Sequence, residues 1–363
     1  MKSIDRLTVK YHNRVVGILS LTPDDKFCAF EYDKSWLVDG FSISPLELPL
    51  RQGLFIAKPQ PFYGNFGIFE DSLPDGYGRY LLHKALMREG INDTNLSSLD
   101  RLSLVGNGGM GALTYHPETH IQLSNGATDL DMLQQKALEV LKEQQDTDAG
   151  LLLYNSGNSG GARPKAIFHD EEGHWLVKFR HTYDPKNIGQ LEYDYNKVAR
   201  QCGIDVPEFK LIEGKYFAVR RFDIENNVRL HIATASALLN EPITPPKMEY
   251  HNLLQLTGYL TQSPKAVEQQ FRRMAFNVFA HNMDDHARNF SFICRDGKWS
   301  LAPAYDLTND ATLGEHASTI NFKGLPSDED MITVGMNIRM SRERCQQIIE
   351  EVREGTRELK KYY

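Results

Sequence analysis

Residues 265–283 read KAVEQQFRRMAFNVFAHNM, and this stretch constrains the chain more than any other. Val267, Phe271, Met274, Ala275, Val278 and Phe279 fall at offsets 0, 4, 7, 8, 11 and 12. That spacing puts all six on one face of an α-helix, and such a face needs a core to pack against. Directly behind it comes Asn282-Met283-Asp284-Asp285-His286-Ala287-Arg288-Asn289. Two carboxylates, an imidazole, a guanidinium and two carboxamides are thus delivered to one place by a buried helix. A plain exposed turn could hold the same residues, so the run needs company elsewhere in the chain.

That company exists, and its order is informative. Asp284 and Asn289 stand five apart, the D-x-x-x-x-N spacing of a protein-kinase catalytic loop, where the Asp accepts a hydroxyl proton and the Asn holds magnesium. Seventeen residues beyond Asn289, WSLAPAYDLTND puts Asp306 just after an apolar strand. With Asn289 it would give Mg²⁺ the one or two hard oxygens that ion takes from protein. Upstream, HWLVKFR reads as a strand with Lys178 near its end, and Glu192 lies near the start of a helical pattern. A glycine run, Ser156-Gly157-Asn158-Ser159-Gly160-Gly161-Ala162-Arg163-Pro164-Lys165, precedes both. Glycines let backbone N–H groups approach phosphates, although this run is not a Walker A loop. A strand lysine is mostly a solvated residue, and a glycine run mostly a turn. In sequence, though, loop, Lys178, Glu192, Asp284, Asn289 and Asp306 repeat the order of parts in a protein kinase.

The rest of the chain supplies a frame. At 363 residues, two domains or two lobes are expected. Residues 5–57 look like β structure, with a hairpin around His12-Asn13-Arg14. Pro74-Asp75-Gly76 reads as a helix entry, and VGNGGMGALTY (105–115) as a loop entering a strand. Polar residues 116–130 suit a boundary, residues 131–148 a helix, and Ile348, Ile349 and Val352 the inner face of a C-terminal helix. Cys28, Cys202, Cys294 and Cys345 are far apart, which argues against zinc or disulfides and for small buried apolar groups. The N-terminus lacks a signal peptide's apolar core, and no run of 18 apolar residues exists; a cytoplasmic protein with no membrane contact is expected. Acidic residues outnumber basic ones, 48 to 41, so no direct binding of DNA by this chain alone is expected.

Taken together, GGARPKA (160–166), WLVKF (175–179), VRRFD (219–223), NMDDHARNFS (282–291) and PAYDL (303–307) resemble the HipA family of serine/threonine kinase toxins. LPDGYGR (73–79) and GNGGMGALTY (106–115) resemble the small domain that accompanies those kinases. The resemblance implies an α+β, two-lobed protein-kinase-like fold with a small β-rich N-terminal accessory domain. Residues 1–122 would be that accessory domain and 123–363 the kinase domain, with its N-lobe running to about 225. It implies ATP and Mg²⁺ as cofactors, Asp284 as catalytic base, and Asn289 and Asp306 as metal ligands. Lys178, Glu192, Phe222, Asp223, Gly160, Gly161, His286 and Arg288 would form the nucleotide site. Family members autophosphorylate a serine in the glycine run, and here Ser156 and Ser159 flank the matching position. A protein substrate, in some members an aminoacyl-tRNA synthetase, and a HipB-like DNA-binding antitoxin complete the expectation. Rival readings are a small-molecule kinase sharing the same residues, and a non-catalytic partner of a DNA-bound repressor.

Overall fold

The computed structural model describes residues 3–121, 129–142, 149–156, 161–310 and 313–363. The chain forms two compact units, residues 1–189 with 212–232, and residues 190–211 with 233–363.

In the first unit, β1 (Arg6–Tyr11) and β2 (Arg14–Leu21) form the expected hairpin, with His12 at φ +52 in its two-residue turn. β3 (Cys28–Tyr32) and β4 (Leu54–Ile56) extend the sheet on one side and β5 (Leu113–His116) on the other, giving the order β4-β3-β2-β1-β5. Alternation places Leu7 and Val9 on the buried face of β1, and Val16 and Leu19 of β2, on either side of a register shift, are fully inaccessible as well. The short helices α1 (Trp36–Asp39) and α2 (Gly67–Glu70) precede α3 (Gly76–Arg88), which starts at the predicted entry. α4 (Ser98–Val105) opens with a capping box between Ser97 and Asp100.

α5 (Leu130–Leu141) covers the first part of the helix expected over 131–148; residues 143–148 lie outside the described ones. After α6 (Ala149–Ser156), β6 (Lys165–Asp170) and β7 (Gly173–Lys178) pair antiparallel. α7 (Ile188–Gln201) and β8 (Phe209–Ile212) follow. β9 (Tyr216–Arg220) then pairs with β7, and β10 (Ile224–Glu225) turns tightly into β11 (Val228–Arg229) before β12 (His231–Thr234). Tyr77 and Leu81 of α3, Leu133 of α5, Leu152 of α6, Val177 of β7 and Ala218 of β9 share one buried cluster. One core therefore serves both the α3 region and the strand that bears Lys178.

In the second unit, α8 (Ala235–Leu239) leads to α9 (Tyr250–Thr261) and α10 (Pro264–Phe279), the helix foreseen from its apolar spacing. Of the six apolar positions Phe271, Met274 and Ala275 are buried and Val267, Val278 and Phe279 half-buried, while Gln270, Arg273 and Asn277 are buried as well. The helix is enclosed on more than its apolar face, which hydrophobic periodicity could not show. The hairpin β13 (Ser291–Arg295) and β14 (Lys298–Leu301) follows, then α11 (Asp328–Asn337) and α12 (Arg342–Gly355). Ile348, Ile349 and Val352 of α12 face inward as expected. All four cysteines are free and buried. No helix among the described residues is long and apolar enough to cross a membrane.

Candidate active site

The polar run after α10 is held open by a buried hydrogen-bond network. The helix stops at Phe279, His281 takes φ +53, and the chain passes into an irregular loop. Asn282 donates from Nδ2 to Asn277 Oδ1 at 2.9 Å, and Asn277 Nδ2 reaches the Tyr250 hydroxyl at 2.9 Å. That hydroxyl donates to Asp285 Oδ2 at 2.8 Å. Asp285 also lies 3.0 Å from His316 Nδ1 and accepts from the Ser318 backbone N–H at 3.1 Å. Ser318 Oγ donates to the Asp285 carbonyl at 2.5 Å, and Ala317 N to the Met283 carbonyl at 2.8 Å. Asp285 is therefore the buried anchor of the loop.

Its neighbour Asp284 points the other way and is partly open, with 43% of its side chain exposed. Burial pushes its carboxyl up to about 6; the nearby His286 opposes that rise, while Asp306, Asp310 and Asp285 add to it. His286 Nε2 stands 3.9 Å from Asp284 Oδ1. Asn289 donates from Nδ2 to the Asp284 carbonyl at 2.7 Å. Its amide oxygen is thereby the end left to a cation.

Asp306 belongs to the same unit. The strand expected to lead to it ends at Leu301, because Pro303 cannot donate to a ladder, and Asp306 sits five residues later in irregular backbone. It adopts φ +57, a left-handed conformation uncommon outside glycine and more frequent for Asp. Tyr305 beside it donates to the Arg288 carbonyl at 2.6 Å and pairs with Ser291 Oγ at 2.6 Å. These bonds tie the Asp306 segment to the loop that carries Asp284, His286, Arg288 and Asn289. Glu192, on α7 of this unit, is buried.

The remaining candidates lie in the first unit. Lys178 closes β7 with Nζ 5.9 Å from the Phe217 ring centre. Its direct cross-strand partner is Lys165, only 8% exposed, a residue sequence reasoning did not single out. Gly161 takes φ +98, and Gly160 lies outside the described residues. Phe222 is half-buried. Asp223 is buried, with Arg221 donating to both of its oxygens at 3.0 and 2.6 Å and Gly111 N–H at 3.0 Å. Its carboxylate is thus a tie within the protein between the 106–111 loop and the turn after β9. Ser156 is the last residue of α6, 1% exposed, with Oγ bonded to the Leu153 carbonyl at 3.3 Å. Ser159 lies outside the described residues. Asn277, Tyr250, His316 and Ser318 also escaped the sequence reading. A carboxamide inside an apolar helix was the one available hint, for Asn277.

Comparison with known proteins bears on all of this at once. The model of the HipA-like C-terminal domain matches residues 157–359, and that of the HipA N-terminal domain residues 7–116. A Sinorhizobium fredii protein named "Putative kinase Y4dM" is 26% identical over 354 residues, covering 89% of this chain and 82% of its own. HipA of Shewanella oneidensis MR-1, solved with HipB and operator DNA, superposes with a TM-score of 0.73 at 16% identity, over 97% of this chain and 90% of that one. The fold is accordingly α+β and that of HipA, as the sequence motifs implied. With one family model spanning more than half its length and a second its N-terminal third, the chain belongs to the HipA family.

Proposed function

We propose that this protein is an ATP-dependent kinase that phosphorylates serine or threonine hydroxyls of a protein, as the toxin of a toxin–antitoxin pair. The observation that carries the reading is the pairing of Asp284 with Asn289. A half-open carboxylate with its carboxyl pushed up to about 6 is ionised at neutral pH yet basic enough to take a hydroxyl proton. The Asn289 amide is fixed by the Asp284 carbonyl itself, so base and metal ligand move as one piece.

Magnesium and ATP fit the residues present. Asp306 and Asp310 add to the cost of ionising Asp284, a crowding of negative charge that a divalent cation would relieve. Among the described residues no three carboxylate, imidazole or thiol groups converge into a complete cage. Two protein oxygens, from Asn289 and Asp306, suit an ion whose other ligands are phosphate oxygens and water. Bound there, Mg²⁺ would neutralise charge on the transferring phosphoryl group. In the first unit, Lys165 and Lys178 face each other directly across two strands. Two ammonium-bearing side chains at paired positions of one hairpin suit a polyanion such as a triphosphate. We assign residues 1–122 to the accessory domain and 123–363 to the kinase domain. Autophosphorylation in the glycine run follows from the same reading; at Ser156 it would require the last turn of α6 to open. A HipB-like antitoxin would supply the DNA contacts, as HipB accompanies HipA in the Shewanella complex.

Asp284→Ala tests the reading. Transfer of label from γ-labelled ATP, to the chain itself or to added protein, should fall by about 10²–10⁴-fold. Titration with Mg·AMPPNP, a non-hydrolysable analogue, should show binding retained. Asp306→Ala should do the reverse and weaken Mg·AMPPNP binding first. Near-wild-type transfer by Asp284→Ala would refute the assignment.

A further inference from the structure

α10 closes on a left-handed residue, as many helices do, but that residue is His281 at φ +53 and not a glycine. Such a conformation costs a residue with a Cβ, and it persists where the surroundings dictate it. The last carbonyls of the helix must also be paired. Asn277 accepts the Asn282 N–H at 3.0 Å. Two others go to tyrosines from distant parts of the same unit. The Phe279 carbonyl accepts the Tyr363 hydroxyl at 2.8 Å, and the Ala280 carbonyl accepts the Tyr195 hydroxyl of α7 at 2.7 Å. Tyr363 also stacks on the His281 ring, with centroids 4.1 Å apart and planes at 28°. The His281 carbonyl in turn accepts the Asp310 N–H at 3.1 Å.

Tyr363 is itself anchored by the two residues before it, which close a 3₁₀ turn, Thr356–Tyr362, behind α12. Lys361 Nζ at 2.8 Å and the Tyr362 hydroxyl at 2.6 Å both donate to Asp194 Oδ2 on α7. Gln190 Nε2 holds the other Asp194 oxygen at 2.9 Å. The Tyr362 carbonyl accepts Asn309 Nδ2 at 3.0 Å. Residues 361–363 therefore join α7, the exit of α10 and the segment from Asp306 to Asp310. Asp284 lies three residues beyond His281, and Asp306 three before Asn309. The fold draws little from these bonds: α10 is enclosed by its own core, and Tyr363 is 42% exposed. What they fix is the point where the backbone leaves α10, and so the origin from which Asp284 is set.

We propose that Tyr363 is a positioning residue of the kinase site: anchored on α7 through Lys361 and Tyr362, it sets the exit of α10 against the Asp306–Asp310 segment, at the spacing in which Asp284 and Asp306 serve one reaction. The inference rests on the kinase reading above. A general base misplaced by about 1 Å loses rate far out of proportion to the stability lost, because proton transfer depends steeply on distance and alignment. Tyr363 touches no substrate in this scheme; it acts by holding His281 and the Phe279 carbonyl.

The test compares Tyr363→Ala and Tyr363→Phe with the wild type. The readouts are the limiting rate of label transfer from saturating γ-labelled ATP, to the chain itself or to casein, calorimetric titration with Mg·AMPPNP, and thermal unfolding. Tyr363→Ala loses both the stack and the hydroxyl, and should lower the limiting rate about 10–100-fold. Its affinity for Mg·AMPPNP should stay within about twofold of wild type, with the protein folded at the assay temperature. Tyr363→Phe keeps the stack on His281 and loses the bond to Phe279, so its rate should fall about fivefold. If Tyr363→Ala fails to fold, Tyr363→Phe decides alone. An active wild type whose variants transfer label as fast as it does overturns the positioning role alone. So does a Tyr363→Ala variant whose transfer and nucleotide binding fall together, the mark of general loosening. A wild type that neither transfers label nor binds Mg·AMPPNP overturns the kinase reading and this inference with it.

Discussion

The proposed catalytic loop at 282–289 and the end of the glycine run at 161–165 are anchored in opposite ways. The first is gripped from below by its own unit, through Asp285, Tyr250, Asn277, His316 and Ser318, with nearly every partner fully buried. The second is held from the side, by the first turn of a helix that begins 85 residues earlier, and by the bidentate Arg163–Asp184 pair at 3.0–3.1 Å. A general base must keep its position through the reaction, which suits a rigid, desolvated support. A loop that binds phosphate, as proposed for this run, must admit and release a nucleotide, which suits ties confined to its end, at Gly161 and Arg163. Adjacent aspartates show the same division within two positions. Asp285 is spent on structure, and Asp284 keeps an open carboxylate with a raised affinity for its proton.

If that contrast is sound, Asp285→Ala should be the most damaging single change. It takes the carboxylate partner from the Tyr250 hydroxyl, the Ser318 N–H and the His316 ring, all of them buried. Each stranded group costs about 1–3 kcal/mol, and the loss should total about 3–5 kcal/mol in urea unfolding. Activity should fall with stability, unlike Asp284→Ala, which should lose activity with the fold intact. A stable, inactive Asp285→Ala would erase the distinction between the two aspartates. Next comes Arg163→Ala. Asp184 is 8% exposed and keeps only the His181 N–H at 2.7 Å among its bonds described here. Losing the charged bidentate partner should cost about 1.5–3 kcal/mol, measurable by the same unfolding. A loss as large as that from Asp285→Ala would mean the glycine-run end is anchored as deeply as the catalytic loop.

Which parts of this were legible in the sequence follows from the same contrast. The D-x-x-x-x-N spacing sets Asp284 beside Asn289 by local geometry alone, and α10 announces itself by apolar period, so both could be read from neighbouring letters. His316 and Ser318 reach Asp285 from more than thirty residues away, and nothing in GEHASTI marks them as partners. Asp75 reads as a helix start, which it is; that its carboxylate serves Gly161 instead of its own helix depends on a tertiary contact no local rule contains. Lys165 falls within the GGARPKA motif, but its place opposite Lys178 depends on strand register. Asp306 was placed at a strand end, and the structure puts it beyond one, because Pro303 ends the ladder early.

The smallest effect is also the one with a sign that runs against intuition. Asp284 holds its proton more tightly folded than unfolded, with its carboxyl at about 6 against an ordinary 3.8. A raised folded value contributes stability below the unfolded value and loses it as pH rises through the folded one. At neutral pH the ionised carboxylate, crowded by Asp306 and Asp310, is a liability to the fold. Asp284→Asn removes that charge while keeping nearly the same shape. With 43% of the side chain in solvent, screening limits the gain to about 1 kcal/mol, or a few degrees in Tm at pH 7.5. The gain should shrink as pH falls from 6 toward 4, where the native aspartate is itself protonated. In wild type, kcat/KM for phosphotransfer should decline below pH of about 6 over the same range, since it reports the free enzyme's base. A variant less stable than wild type at pH 7.5 would mean that Asp284 holds the loop together as Asp285 does, and the two aspartates would no longer divide the work.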